Sequence, residues 1–252
     1  NDNDNNGQVD CWDITCKGKS TCKEVCDDGK DNDFDDKIDC ADSDCGGALE
    51  CAKPLFYAPM NCGDGGWKSA DMKRNGVKFA IDKHAKGPKP VSGECTLNFN
   101  NGSNFCGVKD CKNGKANANA GTATWGTKID ATKFKNSLTL VYWSWIDGEA
   151  QSGSAYYDDR GFMQASYDGF AGCCGATNAC DSSTLNQCNK TATSTWNAPR
   201  ASDQQKKWQK VTLNLYKFRG KKFTLRARFN SGDGNNNTGH GWFIDDLRLY
   251  AK

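Results

Sequence analysis

The segment SLTLVYWSWID (Ser137–Asp147) carries apolar residues at both odd and even positions. Because successive side chains of a strand point to opposite faces, this pattern predicts a strand that is covered on both faces, as in a two-layer sandwich. The segment KVTLNLY (Lys210–Tyr216) alternates instead, and its apolar side is formed by Val211, Leu213 and Leu215. The two patterns together predict a β-sandwich that contains interior and half-buried strands.

Two further segments extend the pattern toward the end of the chain. KFTLRARF (Lys222–Phe229) has one apolar face and one polar face, and GWFIDDLRLY (Gly241–Tyr250) is predicted to be the last strand. Short strands between Gly, Asn and Asp turns, with little helical periodicity, indicate a mainly β domain over residues 53–252. In KFTLRARF the inward positions are Phe223, Leu225, Ala227 and Phe229, and the outward positions are Thr224, Arg226 and Arg228.

Composition favours a folded protein from an oxidising compartment. Of 252 residues, 37% are hydrophobic, and eight Trp, seven Tyr and twelve Phe supply material for a large core. No apolar run approaches the roughly 18 residues that a membrane span needs. Fifteen cysteines with only two histidines predict disulfides and an extracellular or cell-surface location, and a zinc cluster is the alternative.

The net charge of +2 conceals two oppositely charged blocks. Residues 1–52 hold 15 acidic residues against 5 lysines, for a net charge of −10, whereas residues 53–252 hold 16 against 28, for a net charge of +12. Such blocks can attract each other within a molecule or between molecules. Nucleic acid is a poor partner, because the basic residues are scattered and the acidic block would repel phosphate.

The acidic block is a tandem repeat with a period of 29 residues. DNDNNGQVDCWDITC (Asp2–Cys16) aligns with DNDFDDKIDCADSDC (Asp31–Cys45) at both its cysteines and its aspartates. This agreement indicates two copies of one unit within residues 1–52. The coinciding cysteine pairs are Cys11 and Cys40, Cys16 and Cys45, and Cys22 and Cys51.

Each copy has the ligand spacing of a twelve-residue calcium loop. Oxygen-bearing side chains stand at positions 1, 3, 5, 9 and 12, and position 7 offers a backbone carbonyl. A hard cation needs six to eight oxygens, and alternate residues of a tight loop can converge on it. A disordered acidic segment is the alternative. The predicted calcium ligands are Asp2, Asp4, Asn6, Gln8, Asp10 and Asp13 in the first loop, and Asp31, Asp33, Asp35, Lys37, Asp39 and Asp42 in the second.

The loops depart from the usual pattern in two ways. Position 12 is Asp rather than Glu in both copies, and Asp36 replaces the expected glycine, which predicts backbone strain. Each full repeat would carry four cysteines, but the first copy lacks a counterpart of Cys26 because that position precedes residue 1. Either its partner lies upstream, or the odd cysteine forms an intermolecular disulfide.

Both parts of the chain resemble known kinds of extracellular module. Residues 1 to about 51 resemble the aspartate-rich repeats of bacterial secreted and surface proteins and, in the metal loop, thrombospondin type 3 repeats. Residues 53–252 resemble MAM-like jelly-roll domains in the order of segments such as GTATWGTKID, LTLVYWSWIDGE and GWFIDDLRLY. The second resemblance implies a two-sheet jelly roll used in adhesion, in glycan binding or as an appendage of secreted hydrolases.

The jelly-roll resemblance also implies a structural calcium site near the last strand. Asp245 or Asp246 would supply oxygens with Asp64, Asp147 or Glu149, and the alternative is a carboxylate bonded to loop amides. Separately, the aromatic residues suggest where a sugar or protein partner could bind, although aromatic residues in a sandwich more often belong to the core. The predicted ligand-binding residues are Trp196, in the polar loop TSTWNAPR, and Tyr156 and Tyr157 in YYDDRG.

No catalytic motif is present, so the sequence does not indicate an enzyme. The favoured hypothesis is a non-enzymatic structural or adhesive protein, stabilised by calcium and disulfides, that forms a self-assembling surface fibre. The alternatives are a carbohydrate-binding jelly-roll module and an ancillary domain of a secreted hydrolase. The corresponding partners are a second copy of the chain or a cell-surface protein or glycan.

Overall fold

A computed structural model describes residues 23–58, 60–63, 65–71, 77–84, 86–100, 119–148, 159–170, 192–198, 206–231 and 239–252. The chain divides into two compact units, Asn1–Pro54 and Leu55–Lys252. No described helix is both long enough and apolar enough to cross a bilayer.

The second unit contains two antiparallel sheets packed as a sandwich, so the predicted fold class is confirmed. One sheet has the order β10-β7-β12-β4-β3, with β1 paired to β12. The other has the order β2-β5-β11-β8-β9, with β6 paired to β11. The strands are β1 (Phe56–Ala58), β2 (Trp67–Asp71), β3 (Lys78–Asp82), β4 (Thr96–Asn100), β5 (Ala120–Trp125), β6 (Ile129–Asp130), β7 (Leu138–Asp147), β8 (Arg160–Ser166), β9 (Thr193–Asn197), β10 (Gln209–Asn214), β11 (Lys222–Asn230) and β12 (Gly241–Ala251).

Strand β7 is an interior strand, as its apolar pattern predicts. It pairs with β10 on one side and with β12 on the other, and eight of its ten residues are buried. Strand β10 is at the end of its sheet, and its residues alternate between half-buried and exposed. The difference between the two sequence patterns therefore corresponds to different positions in the sheet.

The core lies between the sheets and is rich in aromatic side chains. The Phe99 and Phe229 rings, from opposite sheets, stack with their centroids 4.8 Å apart, and both residues are fully buried. Strand β8 approaches the buried Trp242 closely at Gly161, where an added Cβ would lie 2.6 Å from the indole. Any larger residue at Gly161 would therefore displace a central side chain of the core.

The predicted outward face of β11 is buried, which corrects the expectation for Thr224, Arg226 and Arg228. The Arg226 guanidinium lies 3.9 Å from the centre of the Phe170 ring, and its Nε donates to Gln164 Oε1 at 2.8 Å. Burial lowers the pKa of Arg226 to about 9 and that of Arg228 to about 10. Alternation identifies which side chains share a face, but it does not reveal whether other residues cover that face.

The described part of the acidic unit contains two short 3-10 helices, Asp39–Ala41 and Ser43–Cys45. The disulfides Cys26–Cys45 and Cys40–Cys51 bracket its acidic loop, and Cys62–Cys95 lies in the sandwich unit. These bonds confirm the prediction of a disulfide-rich chain for six of the fifteen cysteines. The other nine lie outside the described residues. The third 3-10 helix of the described chain, Tyr216–Phe218, belongs to the sandwich unit.

Candidate functional site

Hydrogen bonds from backbone amides to aspartate carboxylates stabilise the turns of the second acidic loop. Asp31 accepts from the amides of Asp35 at 3.2 Å and Asp36 at 2.9 Å, and Asp33 accepts from Asp35 at 3.2 Å. Asp35 in turn accepts from the amide of Lys37 at 3.0 Å. Aspartate favours such local turns because its short side chain reaches nearby backbone amides. The turns bring alternate carboxylates to the inside of the loop.

Two overlapping carboxylate groups result, and Asp33 belongs to both. In one group, Glu24, Asp31 and Asp33 can each offer an oxygen within 4.8 Å of the others, and Asp33, Asp35 and Asp42 can do the same in the second. Asp33 is only 2% exposed and Asp42 only 3%. Clustered carboxylates this deeply buried need a compensating positive charge.

The electrostatics of Asp33 and Asp42 fit a hard cation. Burial raises the pKa of Asp33, and the nearby carboxylates of Asp35 and Asp42 raise it further. Asp42 Oδ1 accepts from the amide of Asp44 at 2.6 Å, but its buried Oδ2 has no hydrogen-bond partner among the described residues. A buried carboxylate that has an oxygen without a partner and that lies close to other carboxylates is suited to be a metal ligand.

Glu24 belongs to the cluster but is absent from the predicted ligands. It is 8% exposed, and its two oxygens accept from the amides of Asn32 at 2.7 Å and Asp39 at 2.8 Å. A shift of 29 residues would place its counterpart before residue 1, so the repeat alignment could not identify it. The only signal was a glutamate just before the first cysteine of an aspartate-rich repeat.

Other predicted positions of the second loop have different roles. The Asp39 carboxylate accepts from the amides of Asp28 at 3.1 Å and Gly29 at 3.1 Å, so it caps a neighbouring turn and lies outside both carboxylate groups. Lys37 Nζ lies 3.6 Å from Asp35 Oδ2. Asp36 has a φ of 70°, the left-handed conformation that glycine adopts most easily.

Several predicted site residues lie outside the described residues, and their placement stays a prediction. They are Asp2, Asp4, Asn6, Gln8, Asp10 and Asp13 of the first loop, and Tyr156 and Tyr157 of the sandwich unit.

The predicted metal site on the last strand stays a prediction, because Asp64 and Glu149 lie outside the described residues, but the carboxylate of Asp245 has the alternative role of bonding to loop amides. Asp245 is fully buried, and its carboxylate accepts from the amides of Val91 at 2.7 Å and Ser92 at 2.9 Å. Burial raises the pKa of Asp245. Asp246 has a φ of 48° at a register shift in β12 and pairs with Arg248 at 2.9 Å. Both carboxylates therefore have partners of their own, and neither belongs to a carboxylate group of the described residues.

Trp196 lies on a strand rather than in a loop, which corrects that part of its prediction. It belongs to β9, at the end of its sheet, and its half-buried ring packs against the core with its centroid 6.4 Å from that of Phe218. The apparently polar context of TSTWNAPR reflects the outward positions of an edge strand. The Trp196 ring therefore contributes to packing.

A second candidate site is a cleft of about 430 Å³ in the sandwich unit. This basic cleft opens where β7 ends and where β10 and β12 begin. Its chemistry combines positive charge with indole rings, a combination that the sequence did not reveal because the residues come from four segments. The described residues that define it are Lys86, Lys89, Trp145, Lys206, Trp208 and His240.

Asp147, at the end of β7, organises one side of the basic cleft. It is 6% exposed, and its carboxylate lies 2.6 Å from His240 Nδ1 and 3.6 Å from Lys206 Nζ. Because a carboxylate only accepts, Nδ1 of His240 carries the hydrogen and donates it. Behind this pair, the ring centroid of His84 lies 6.1 Å from that of His240, and burial lowers the pKa of His84.

Trp208 closes the other side of the basic cleft. Its indole Nε1 donates to the carbonyl oxygen of Lys89 at 2.8 Å, which joins the start of β10 to the segment before β4. Trp145, 8% exposed, forms the floor, and its ring meets that of Phe243 edge-on with centroids 5.1 Å apart. The rim therefore carries flexible cations, whereas the indoles are held in place.

No protein-family model matches the chain, and no curated protein matches its sequence. Among solved structures, the K3 cleaved adhesin domain of Lys-gingipain from Porphyromonas gingivalis is 15% identical, with a TM-score of 0.39 over 79% of this chain and 100% of that one. The CBM22-2 xylan-binding domain of Paenibacillus barcinonensis Xyn10C is 12% identical, with a TM-score of 0.30 over 79% and 99%.

The Endo-D glycoside hydrolase domain from Streptococcus pneumoniae is 10% identical, with a TM-score of 0.41 over 73% of this chain. The alignment spans 21% of that structure. At identities and TM-scores this low, none of these likenesses bears on function. The described residues form a two-sheet β-sandwich that follows an acidic, disulfide-linked unit.

Proposed function

We propose that this protein is a non-enzymatic extracellular adhesive module whose acidic unit is held in its working conformation by calcium. The observation that carries the calcium proposal is at Asp42, whose carboxylate lies close to those of Asp33 and Asp35 and whose buried Oδ2 has no hydrogen-bond partner among the described residues. A cation at this point would supply the missing partner and neutralise the mutual repulsion of the carboxylates.

The donor set favours calcium over other common metals. The clustered groups offer carboxylate oxygens only, which suit hard cations, whereas zinc sites usually contain cysteine or histidine. The six cysteines of the described residues are all in disulfides. Magnesium demands a near-ideal octahedron and keeps several waters, so a buried group of carboxylates on an irregular loop suits calcium better.

Calcium titration calorimetry on the oxidised protein tests this proposal. We expect binding with about one ion per acidic loop, and Asp33→Asn should remove one equivalent because Asp33 belongs to both carboxylate groups. The matched control is Asp44→Asn, which removes one charge from an exposed residue outside both groups.

Two results would count against the calcium proposal. One is the absence of any heat beyond dilution. The other is an unchanged stoichiometry in Asp33→Asn, which would show that the second loop is not a calcium site. Loss of an equivalent in Asp44→Asn as well would indicate a diffuse charge effect instead of a defined site.

The adhesive part of the proposal is supported by the basic cleft and by the charge split of −10 and +12 between the two blocks of sequence. Oppositely charged blocks favour association between copies, since each can meet its complement on a neighbour. Sedimentation velocity in calcium and then in chelator tests self-association. A monomer in both conditions, at low and at high salt, would refute a fibre and leave attachment to a separate partner.

A further inference from the structure

We propose that the basic cleft binds an anionic saccharide, a pyranose that carries a carboxylate or a sulfate group. The inference deepens the adhesive part of the proposed function by naming its ligand, and it does not depend on calcium. It rests on three features of the cleft: the excess of cations among its described residues, the fixed indole of Trp208, and the polar groups at its base.

Among the described residues, the cations of the rim outnumber the acidic groups. Lys86 and Lys89 are exposed, and within the described residues neither forms an ion pair. The third lysine, Lys206, is held 3.6 Å from the buried Asp147. Asp147 also receives the hydrogen bond from His240, so its single negative charge is shared between two partners. The cleft therefore keeps a positive potential that an anionic group would complement.

The indole of Trp208 can provide the flat apolar surface that a pyranose ring requires. Trp208 is half-buried, and unlike Trp125 and Trp196 it is not among the described side chains that pack against the core. Its hydrogen bond to the Lys89 carbonyl fixes the orientation of the ring without ligand, so little ordering entropy is lost on binding. The C–H face of a sugar can lie against such a ring while the equatorial substituents reach the lysines.

The base of the cleft supplies hydrogen-bonding groups for hydroxyls. The His240 ring is half-buried, and because its Nδ1 donates to Asp147, its Nε2 is the atom left to meet a ligand. The volume of about 430 Å³ lies within the usual range for small-molecule sites. An acidic peptide would satisfy the lysines but would present no comparable flat face to Trp208, so a saccharide fits the whole site better.

Binding of a galacturonic acid oligosaccharide tests the proposal, with its methyl ester as the matched probe. Esterification removes the charge and keeps the ring, so the ester should bind at least about tenfold more weakly. Dextran sulfate, a pyranose polymer that carries sulfate groups but no carboxylates, separates sulfate from carboxylate recognition. The titrations are run in EGTA, because calcium can bridge the uronates, and increasing salt should weaken the binding of the acid.

Single substitutions test whether the saccharide binds in the basic cleft. Trp208→Ala should weaken it by about tenfold or more, whereas Trp208→Phe, which keeps a ring, should retain most of it. Lys86→Gln and Lys89→Gln should each cost about twofold to fivefold. Lys128→Gln and Tyr216→Ala, which alter an exposed lysine and an exposed aromatic residue elsewhere, should bind as the unchanged protein does. Thermal melting of each variant confirms that it folds.

Equal affinity for the acid and its ester, or unchanged binding in Trp208→Ala together with the two lysine variants, would overturn the proposal. Poly-aspartate that binds as tightly as the oligosaccharide would assign the cleft to an acidic protein segment instead. Calcium titration of Trp208→Ala separates this inference from the metal site, because calcium binding should persist in that variant whether or not the saccharide binds.

Discussion

Replacing Asp42 with asparagine should stabilise the acidic loop in the absence of calcium and destabilise it in the presence of calcium. Asp42 shares a group with Asp33 and Asp35, whose oxygens lie within 4.8 Å. Two unit charges 4.8 Å apart repel by about 0.9 kcal/mol in bulk water and about 3.5 kcal/mol at an effective dielectric constant of 20. After allowance for partial solvent screening, Asp42→Asn should stabilise the calcium-free loop by about 1–3 kcal/mol.

With calcium bound, the same change removes a charged ligand, so the loop should become less stable than in the unchanged protein. Hydrogen exchange of the amides of residues 35–37, which donate to carboxylates within the loop, measures both effects. Without calcium, exchange in the variant should slow by roughly fivefold to a hundredfold, since about 1.4 kcal/mol corresponds to a factor of ten. With saturating calcium, it should be faster than in the unchanged protein.

The decisive result is that Asp42→Asn slows exchange without calcium and speeds it with calcium. If Asp42→Asn slows exchange equally with and without calcium, the carboxylates repel one another but do not bind the metal. If exchange is faster in both conditions, Asp42 has a structural role that the unpaired Oδ2 does not suggest. Asp44→Asn should change exchange only slightly in both conditions, because its exposed carboxylate lies outside the group.

Three further predictions concern single positions. Tyr142→Phe should raise the free energy of unfolding by about 1 kcal/mol in urea titrations, because the buried Tyr142 hydroxyl has no hydrogen-bond partner in the described part of the chain. A loss of stability would reveal a partner. Asp245 has a raised pKa in the folded state, so its contribution to stability should be complete below pH 3.8 and should fall as pH rises through the folded pKa. Asp245→Asn should remove this fall above pH 3.8 in urea titrations at a series of pH values, and an unchanged slope would argue against a raised pKa. Asp36→Gly should leave the acidic loop about 1–2 kcal/mol more stable than Asp36→Ala, because both changes remove the charge but only glycine adopts a positive φ without strain. Hydrogen exchange measures the difference, and equal stabilities would refute backbone strain at this position.

The fold could be predicted because the strands of the sandwich have direct sequence patterns. The two-sided apolar run of β7 and the alternation of β10 correspond to an interior and an edge position. The prediction failed at Arg226 and Arg228, where alternation assigned the correct face but could not reveal the cover over it. Burial of a face depends on residues distant in sequence, and periodicity contains no information about them.

The two candidate sites also differ in how close together in sequence their residues lie. The acidic loop is local in sequence, so the spacing identified most members of its two carboxylate groups, while Glu24 joins from outside the twelve-residue pattern. For Asp245 the sequence left two roles open, because a carboxylate that accepts from loop amides and one that binds metal look alike in sequence, and the structure gives it loop amides as partners. The basic cleft was missed because residues 86–89, Trp145, residues 206–208 and His240 meet only through the pairing of β7 with β10 and β12.

The edge position of β10 restricts how copies of this protein can join. Its exposed side chains include Lys210, and charged residues on a terminal strand discourage an incoming strand from continuing the ladder. Growth by that route would also have to accommodate the neighbouring lysines at positions 206 and 207. A fibre of this subunit would therefore be expected to grow through side-chain and charge contacts between chains, and to come apart in concentrated salt instead of resisting it as amyloid-like ladders do.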